Sequence, residues 1–339
     1  MVPDREGLPP AARLPDRSMT VPAIFTVTLN PAIDQTVYLT ELVPGAVHRA
    51  RHAEQYAGGK GVNVASCLSD WRLSSEPPII ATGFLGQANA PTFQSFFDGK
   101  GIVDRFIRLP GQTRRNIKLL DETAGDTTDI NLPGLTPQAV HLDELHAVLE
   151  AETQPGAIAV LSGSLPPGLP ETTYRDLVGQ LNRRGARVLL DTSGLPFREA
   201  LAAPAEALPW AIKPNQHELE EWAGKPFADL GEMVQVALKL CRRGIGLVIV
   251  SRGAEGALFV SERHVLLGHP PLLTVTSTVG AGDALVAGVV AALREKADPE
   301  RLARLSLAFA AAKLVQPGPD LPDRAAVLAQ VDRMKVERL

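Results

Sequence analysis

From residue 24 onward, short runs of β-branched and apolar residues alternate with longer stretches of helical periodicity. This alternation constrains the fold more than any other feature of the chain. Strand-like runs fall at 24–29, 79–82, 157–161, 187–190, 210–212 and 247–250, and helix-like stretches at 61–73, 142–152, 171–184 and 229–243. Strand, helix, strand at this spacing argues for parallel pairing with helices over both faces of the sheet, an α/β fold.

Two blocks break the pattern. Residues 35–40 and 47–56, and later 105–109, 114–120 and 127–132, read as short strands with tight turns and no helix between them. They predict a small, mostly antiparallel sheet inserted into the α/β domain. Residues 1–20 carry four prolines and balanced charges without an apolar signal-peptide core, so they are expected to be a disordered tail, with Met19 as an alternative start.

Composition removes several classes of function. Lys and Arg number 34 against 38 Asp and Glu, a net charge of −4, where a nucleic-acid protein would more often carry a basic excess. The longest strongly apolar stretch, residues 284–293, is too short to span a membrane. Cys67 and Cys241 alone build neither a disulfide framework nor a zinc site, and a reducing, cytoplasmic setting is expected.

Two glycine turns carry the chemistry. Ser277-Thr278-Val279-Gly280-Ala281-Gly282-Asp283 feeds a small-residue helix, so backbone N–H groups at the positive end of a helix dipole face whatever lies beyond the turn, an arrangement suited to anions. Asp283 would serve equally as a helix cap. Ala57-Gly58-Gly59-Lys60-Gly61-Val62-Asn63 opens a second helix with three glycines around one lysine; a tight turn with a solvated Lys60 is the plain alternative. Asp34, just past the first strand, can accept hydrogen bonds from sugar hydroxyls or cap a turn. In the insert, strand alternation places Arg114, Asn116 and Lys118 on one face, fit for a phosphate or for a solvated edge. Asn215 and Glu218 after Lys213-Pro214 have the spacing of a capping box. No His-Glu-x-x-His and no Gly-x-Ser-x-Gly occurs, and Asp191-Thr192-Ser193-Gly194 reads as a strand end and turn.

These motifs occur together and in order, and residues 23–333 resemble the PfkB carbohydrate kinase family of the ribokinase-like fold. The Gly-Gly-Lys-Gly turn is similar to the first family signature and residues 278–283 to the second. Lys213-Pro214-Asn215 with Glu218, and Ser251-Arg252-Gly253-Ala254-Glu255-Gly256, are similar to two nucleotide-side segments. Residues 83–86, 113–119, 128–131 and 220–224 look like the branch that acts on fructose 1-phosphate.

The resemblance implies a three-layer α/β domain over residues 21–333 with a β-sheet lid formed by segments 35–56 and 103–132, and a homodimer joined lid to lid, with Val37, Leu39 and Val47 as its apolar surface. It implies ATP and Mg²⁺ as cofactors and a sugar phosphate as acceptor. Asp283 would be the general base, and Gly280, Ala281 and Gly282 would receive the charge of the transferred phosphoryl group. Asp34, Gly58, Gly59, Lys60, Asn63, Arg114 and Asn116 would hold the sugar phosphate. Lys213, Asn215, Ser251, Gly253, Gly256 and Thr278 would line the ATP side, with Asn215 and Glu218 near Mg²⁺ and its waters. The expected reaction converts fructose 1-phosphate to fructose 1,6-bisphosphate, against alternatives of fructose 6-phosphate or tagatose 6-phosphate as acceptor, or an inactive sugar-phosphate sensor. Family members that use fructose 6-phosphate carry a Lys and an Arg in the first lid block. Ala46 and His48 match those positions here, with Arg49 one residue on, while Lys60 replaces a glycine.

Overall fold

The apolar runs of the sequence become strands buried on both faces. In the computed structural model, which describes residues 22–273, 275, 279–316, 318 and 320–339, these strands are β1 (Ile24–Thr28), β4 (Ile80–Gly86), β9 (Ile158–Ser162), β10 (Arg187–Asp191), β11 (Ala211–Ile212) and β12 (Leu247–Ser251). They pair in parallel in the order β12-β11-β10-β9-β1-β4. Ten helices lie among the described residues: α1 (Lys60–Trp71), α2 (Ala90–Lys100), α3 (Ala139–Glu152), α4 (Thr173–Arg183), α5 (Gly194–Leu201), α6 (Gln216–Ala223), α7 (Leu230–Arg242), α8 (Ala281–Arg294), α9 (Pro299–Leu314) and α10 (Arg324–Val331).

Strand alternation assigns the two cores. Leu247 and Ile249 join α1, α2 and α8 to α10 on one face, while their neighbours Val248 and Val250 join α3 to α7 on the other. This is the three-layer α/β architecture expected. The chain lays β4 on one side of β1 and β9 on the other, so the strand order reverses at β1, and ligands of open α/β sheets bind beyond the strand ends at such a switch point.

The lid is a four-stranded sheet of β2 (Ala32–Leu39), β3 (His52–Gly58), β7 (Arg114–Asp121) and β8 (Asp126–Asn131), in the order β3-β2-β7-β8. Its outer pairs are antiparallel and its central pair, β2 with β7, is parallel. Several expectations are corrected here. Residues 103–109 do not belong to the lid: β5 (Val103–Asp104) and β6 (Ile107–Leu109) add in parallel to β4 of the main sheet. Residues 47–51 form no strand. The main sheet also gains antiparallel strands β13 (Ala257–Val260), β14 (Val265–His269) and β15 (Lys335–Arg338), the last beyond residue 333. Leu39 is 5% exposed and so offers no outer surface. The predicted tail, 1–20, and Thr278 lie outside the described residues.

Candidate active site

The site gathers at the carboxyl ends of β1, β10, β11 and β12, under the lid. Asp283 stands three residues past Gly280, the αL residue that opens α8, and no side chain caps that helix. Asp283 reaches across to α1 instead, where Asn63 Nδ2 donates to its Oδ2 at 2.7 Å. The residue is 7% exposed. Burial, with the neighbouring Asp191 charge adding to it, pushes its pKa up to about 6, against the pull of Asn63, Lys60 and Lys213. This environment produces a carboxyl poised near neutrality, and that carboxyl caps no helix.

Three charges meet beneath it. Asp191, at the end of β10, has its Oδ1 3.1 Å from Lys60 Nζ and 3.4 Å from Lys213 Nζ. Its Oδ2 is buried without a partner. Lys60 starts α1 behind Gly59, the N-cap, and its pKa is raised because Asp191 and Asp283 outweigh the burial that would lower it. Lys213 follows β11, and its Nζ lies 3.8 Å from where a Cβ on Gly282 would sit. The glycine turn and Lys213 are therefore adjacent. Helix geometry leaves the first N–H groups of α8 without intrahelical acceptors.

Lid register builds a second polar cluster. Parallel pairing of β2 with β7 sets Asp34 beside Asn116 and Ala32 beside Arg114. Asn116 Nδ2 donates to Asp34 Oδ1 at 2.8 Å, and Arg114 donates to Asn116 Oδ1 at 2.9 Å and to the Asn30 carbonyl at 3.3 Å. Asp34 thus sits within a lid strand, not in a turn, and burial raises its pKa while Asn116 and Arg114 pull it back. A Cβ on Gly58 would lie 2.1 Å from Asp34 Oδ2, so only glycine leaves that carboxylate in place. Lys118 pairs with Asp129 at 2.8 Å instead of facing the cleft unpaired. A cavity of about 730 Å³ along the seam between lid and main domain is lined by Asn30, Arg114, Asn131, Ser164, Glu171 and Ser193, among others.

Asn215 bridges to Ser251 in parallel, which sets the Lys213–Asn215 segment against the end of β12. Asn215 and Glu218 form the capping box of α6, each accepting from the other's backbone N–H at 2.8 Å. Gly253 has φ +58° and open space around it, whereas a Cβ on Gly256 would lie 2.0 Å from the Gly268 carbonyl. Packing on β14 is therefore enough to require glycine at 256.

Sequence reasoning missed Asp191, Asn30 and Ser164. Asn30 Nδ2 donates to Ser164 Oγ at 3.1 Å at the edge of the cavity. The rule that ligands sit beyond strand ends was the available signal for Asp191 and Ser164, which end or follow β10 and β9.

The chain is similar to known proteins over most of its length. Residues 27–325 match the model of the pfkB family carbohydrate kinases. A 1-phosphofructokinase of Xanthomonas campestris pv. campestris is 50% identical over 297 residues, spanning 87% of this chain and 92% of that protein. Phosphofructokinase-2 of Escherichia coli, solved in complex with fructose-6-phosphate, superposes with a TM-score of 0.83 at 25% identity, covering 91% of this chain and 98% of that one. Its tetrameric inhibited form gives a TM-score of 0.83 at 26% identity, over 91% and 98% of the two chains. With a family match over most of its length and the buried carboxylate, glycine turn and lysines in place, this chain belongs to the pfkB family of carbohydrate kinases.

Proposed function

We propose that this protein is a 1-phosphofructokinase, transferring the γ-phosphoryl group of ATP to the 6-hydroxyl of fructose 1-phosphate to give fructose 1,6-bisphosphate. The observation that carries the reading is Asp283, a buried carboxylate with a pKa of about 6, held by Asn63 beside the glycine turn. The half-identical 1-phosphofructokinase of Xanthomonas supports the choice of acceptor.

Asp283 takes the proton of the acceptor hydroxyl as the oxygen attacks phosphorus. The N–H groups of Gly280, Ala281 and Gly282 receive charge building on the transferred group, with Lys213 beside them and Lys60 on the sugar side. Asp34, Asn63, Arg114 and Asn116 orient the sugar phosphate, with Gly58 and Gly59 giving it close backbone approach. Ser251 and Gly253 line the nucleotide. For Mg²⁺, the described residues contain no group of three or more His, Cys, Asp or Glu side chains able to hold a metal. One oxygen of Glu218 is spent on capping α6, and Asp191 keeps an orphaned oxygen. Such a sparse, hard oxygen set fits Mg²⁺, which keeps waters and takes phosphate oxygens as ligands, with Asn215 and Glu218 near its waters. Bound there, the ion would neutralise phosphate charge.

The lid joins two copies into a homodimer. Its edge strand β8 is exposed throughout, and Val47, 95% exposed, and Ile130 offer apolar surface. The setting is cytoplasmic, where Cys67 and Cys241 remain free buried thiols; no helix among the described residues is long and apolar enough to cross a membrane. ADP release measured with fructose 1-phosphate, fructose 6-phosphate and tagatose 6-phosphate tests the acceptor. A missing charge-assisted contact costs about 1.5–3 kcal/mol, so fructose 1-phosphate should lead by at least about tenfold in kcat/KM. Equal turnover of either 6-phosphate would refute the assignment.

A further inference from the structure

A second lysine stands at the glycine turn, against Gly280 where Lys213 lies against Gly282, and the reaction as described leaves it without a role. Lys313, in the last turn of α9, is 3% exposed. Its Cε lies 3.3 Å from where a Cβ on Gly280 would sit, just as Lys213 lies against Gly282. The two helices that frame it run antiparallel and very close, since a Cβ on Gly288 of α8 would lie 2.6 Å from Ser306 Cα of α9. Two turns beyond Ser306 on the same face, that contact delivers Lys313 to the opening turn of α8.

The ammonium's partners are backbone carbonyls: Nζ donates to Gly318 and, at 3.4 Å, to Asp320. No carboxylate among the described residues lies within ion-pair distance of it. The Asp70 and Asp320 carboxylates are held by Lys100 at 2.6 and 2.7 Å. Burial pushes the Cys67 thiol up to about 12, so that neighbour brings no negative charge. A buried lysine without a carboxylate is costly, and burial does lower its pKa. A fold that needed only a stem to fill this space would place a methionine or leucine there.

We propose that Lys313 is a positioning residue for phosphoryl transfer, its ammonium bracing the Gly280–Asp283 turn against the Gly318 and Asp320 carbonyls and fixing a positive charge beneath the anion site. This rests on the reading of that turn as the phosphoryl site given above. The charge makes the N–H groups of the turn better donors to an anion and holds them in place, without touching the substrate.

The test measures ADP release from fructose 1-phosphate for K313M and K313A. Folding is followed by thermal melting, and K313A is also assayed with added methylammonium, which can enter the space left by the side chain. Loss of the charge should lower kcat by about 10- to 100-fold, within the range for removal of one electrostatic stabiliser. Both KM values should move by less than about twofold. Methylammonium should restore kcat in K313A and leave the wild-type enzyme unchanged. Wild-type kcat in either variant, or a loss in K313A that methylammonium does not reverse, overturns the proposal. Should K313M fail to fold, the K313A comparison with and without the amine still decides. Failure of the underlying site reading would show separately, as full turnover by D283N.

Discussion

Replacing Asp283 by Asn separates catalysis from stability in opposite directions. The native carboxyl has a pKa of about 6 against an ordinary value of 3.8. The native state therefore binds this proton more tightly than the unfolded chain does, and stability from this group is fully present below about pH 4 and lost as pH rises through 6. The difference of about two pKa units corresponds to about 3 kcal/mol at pH 8. The amide introduced by D283N resembles the protonated acid, and its oxygen can still accept from Asn63. The variant should thus be more stable than wild type at pH 8, by as much as about 3 kcal/mol, with the gain vanishing near pH 4. Turnover should fall by about 10²- to 10⁴-fold, the usual worth of a general base, with KM little changed. Denaturant unfolding at both pH values and ADP release on one preparation measure the two effects. A variant that melts lower at pH 8 and keeps its kcat would refute the reasoning and return Asp283 to a helix-capping role.

In D191N, the like charge that helps to raise the Asp283 pKa is gone, so the loss of stability between pH 4 and 6 should shrink, read from unfolding against pH without any need for activity. The same change strips Lys60 and Lys213 of their shared counter-ion and should cost about 3–5 kcal/mol at neutral pH. G58A places a methyl group on the Asp34 carboxylate; the KM for the sugar phosphate should rise by about tenfold or more with the KM for ATP unchanged, in steady-state assays. In sedimentation, the chain should run near twice 36.2 kDa, and V47D should shift it toward the monomer; a wild-type monomer with full activity would refute the lid-to-lid dimer.

Much of this was legible in the residues. Apolar runs such as 247–250 and the helices between them follow from local periodicity, and that is enough to imply a parallel sheet covered on both faces. The two glycine turns were legible because helix N-termini and missing side chains are local properties, and the capping box of Asn215 with Glu218 was read from spacing alone. The partners across the fold were not. Asp283 read equally well as a helix cap until packing of α8 on α1 set it against Asn63, 220 residues away, and buried it. Asp191 looked like a strand end, because nothing near it in sequence announces that Lys60 and Lys213 converge on its carboxylate. Residues 103–109 had the look of the lid, yet which sheet takes a short strand is decided by the edge that stands open, here that of β4. Sequence determines what each segment can be; burial, register and charge proximity exist only once distant segments meet, and they decide what each residue does.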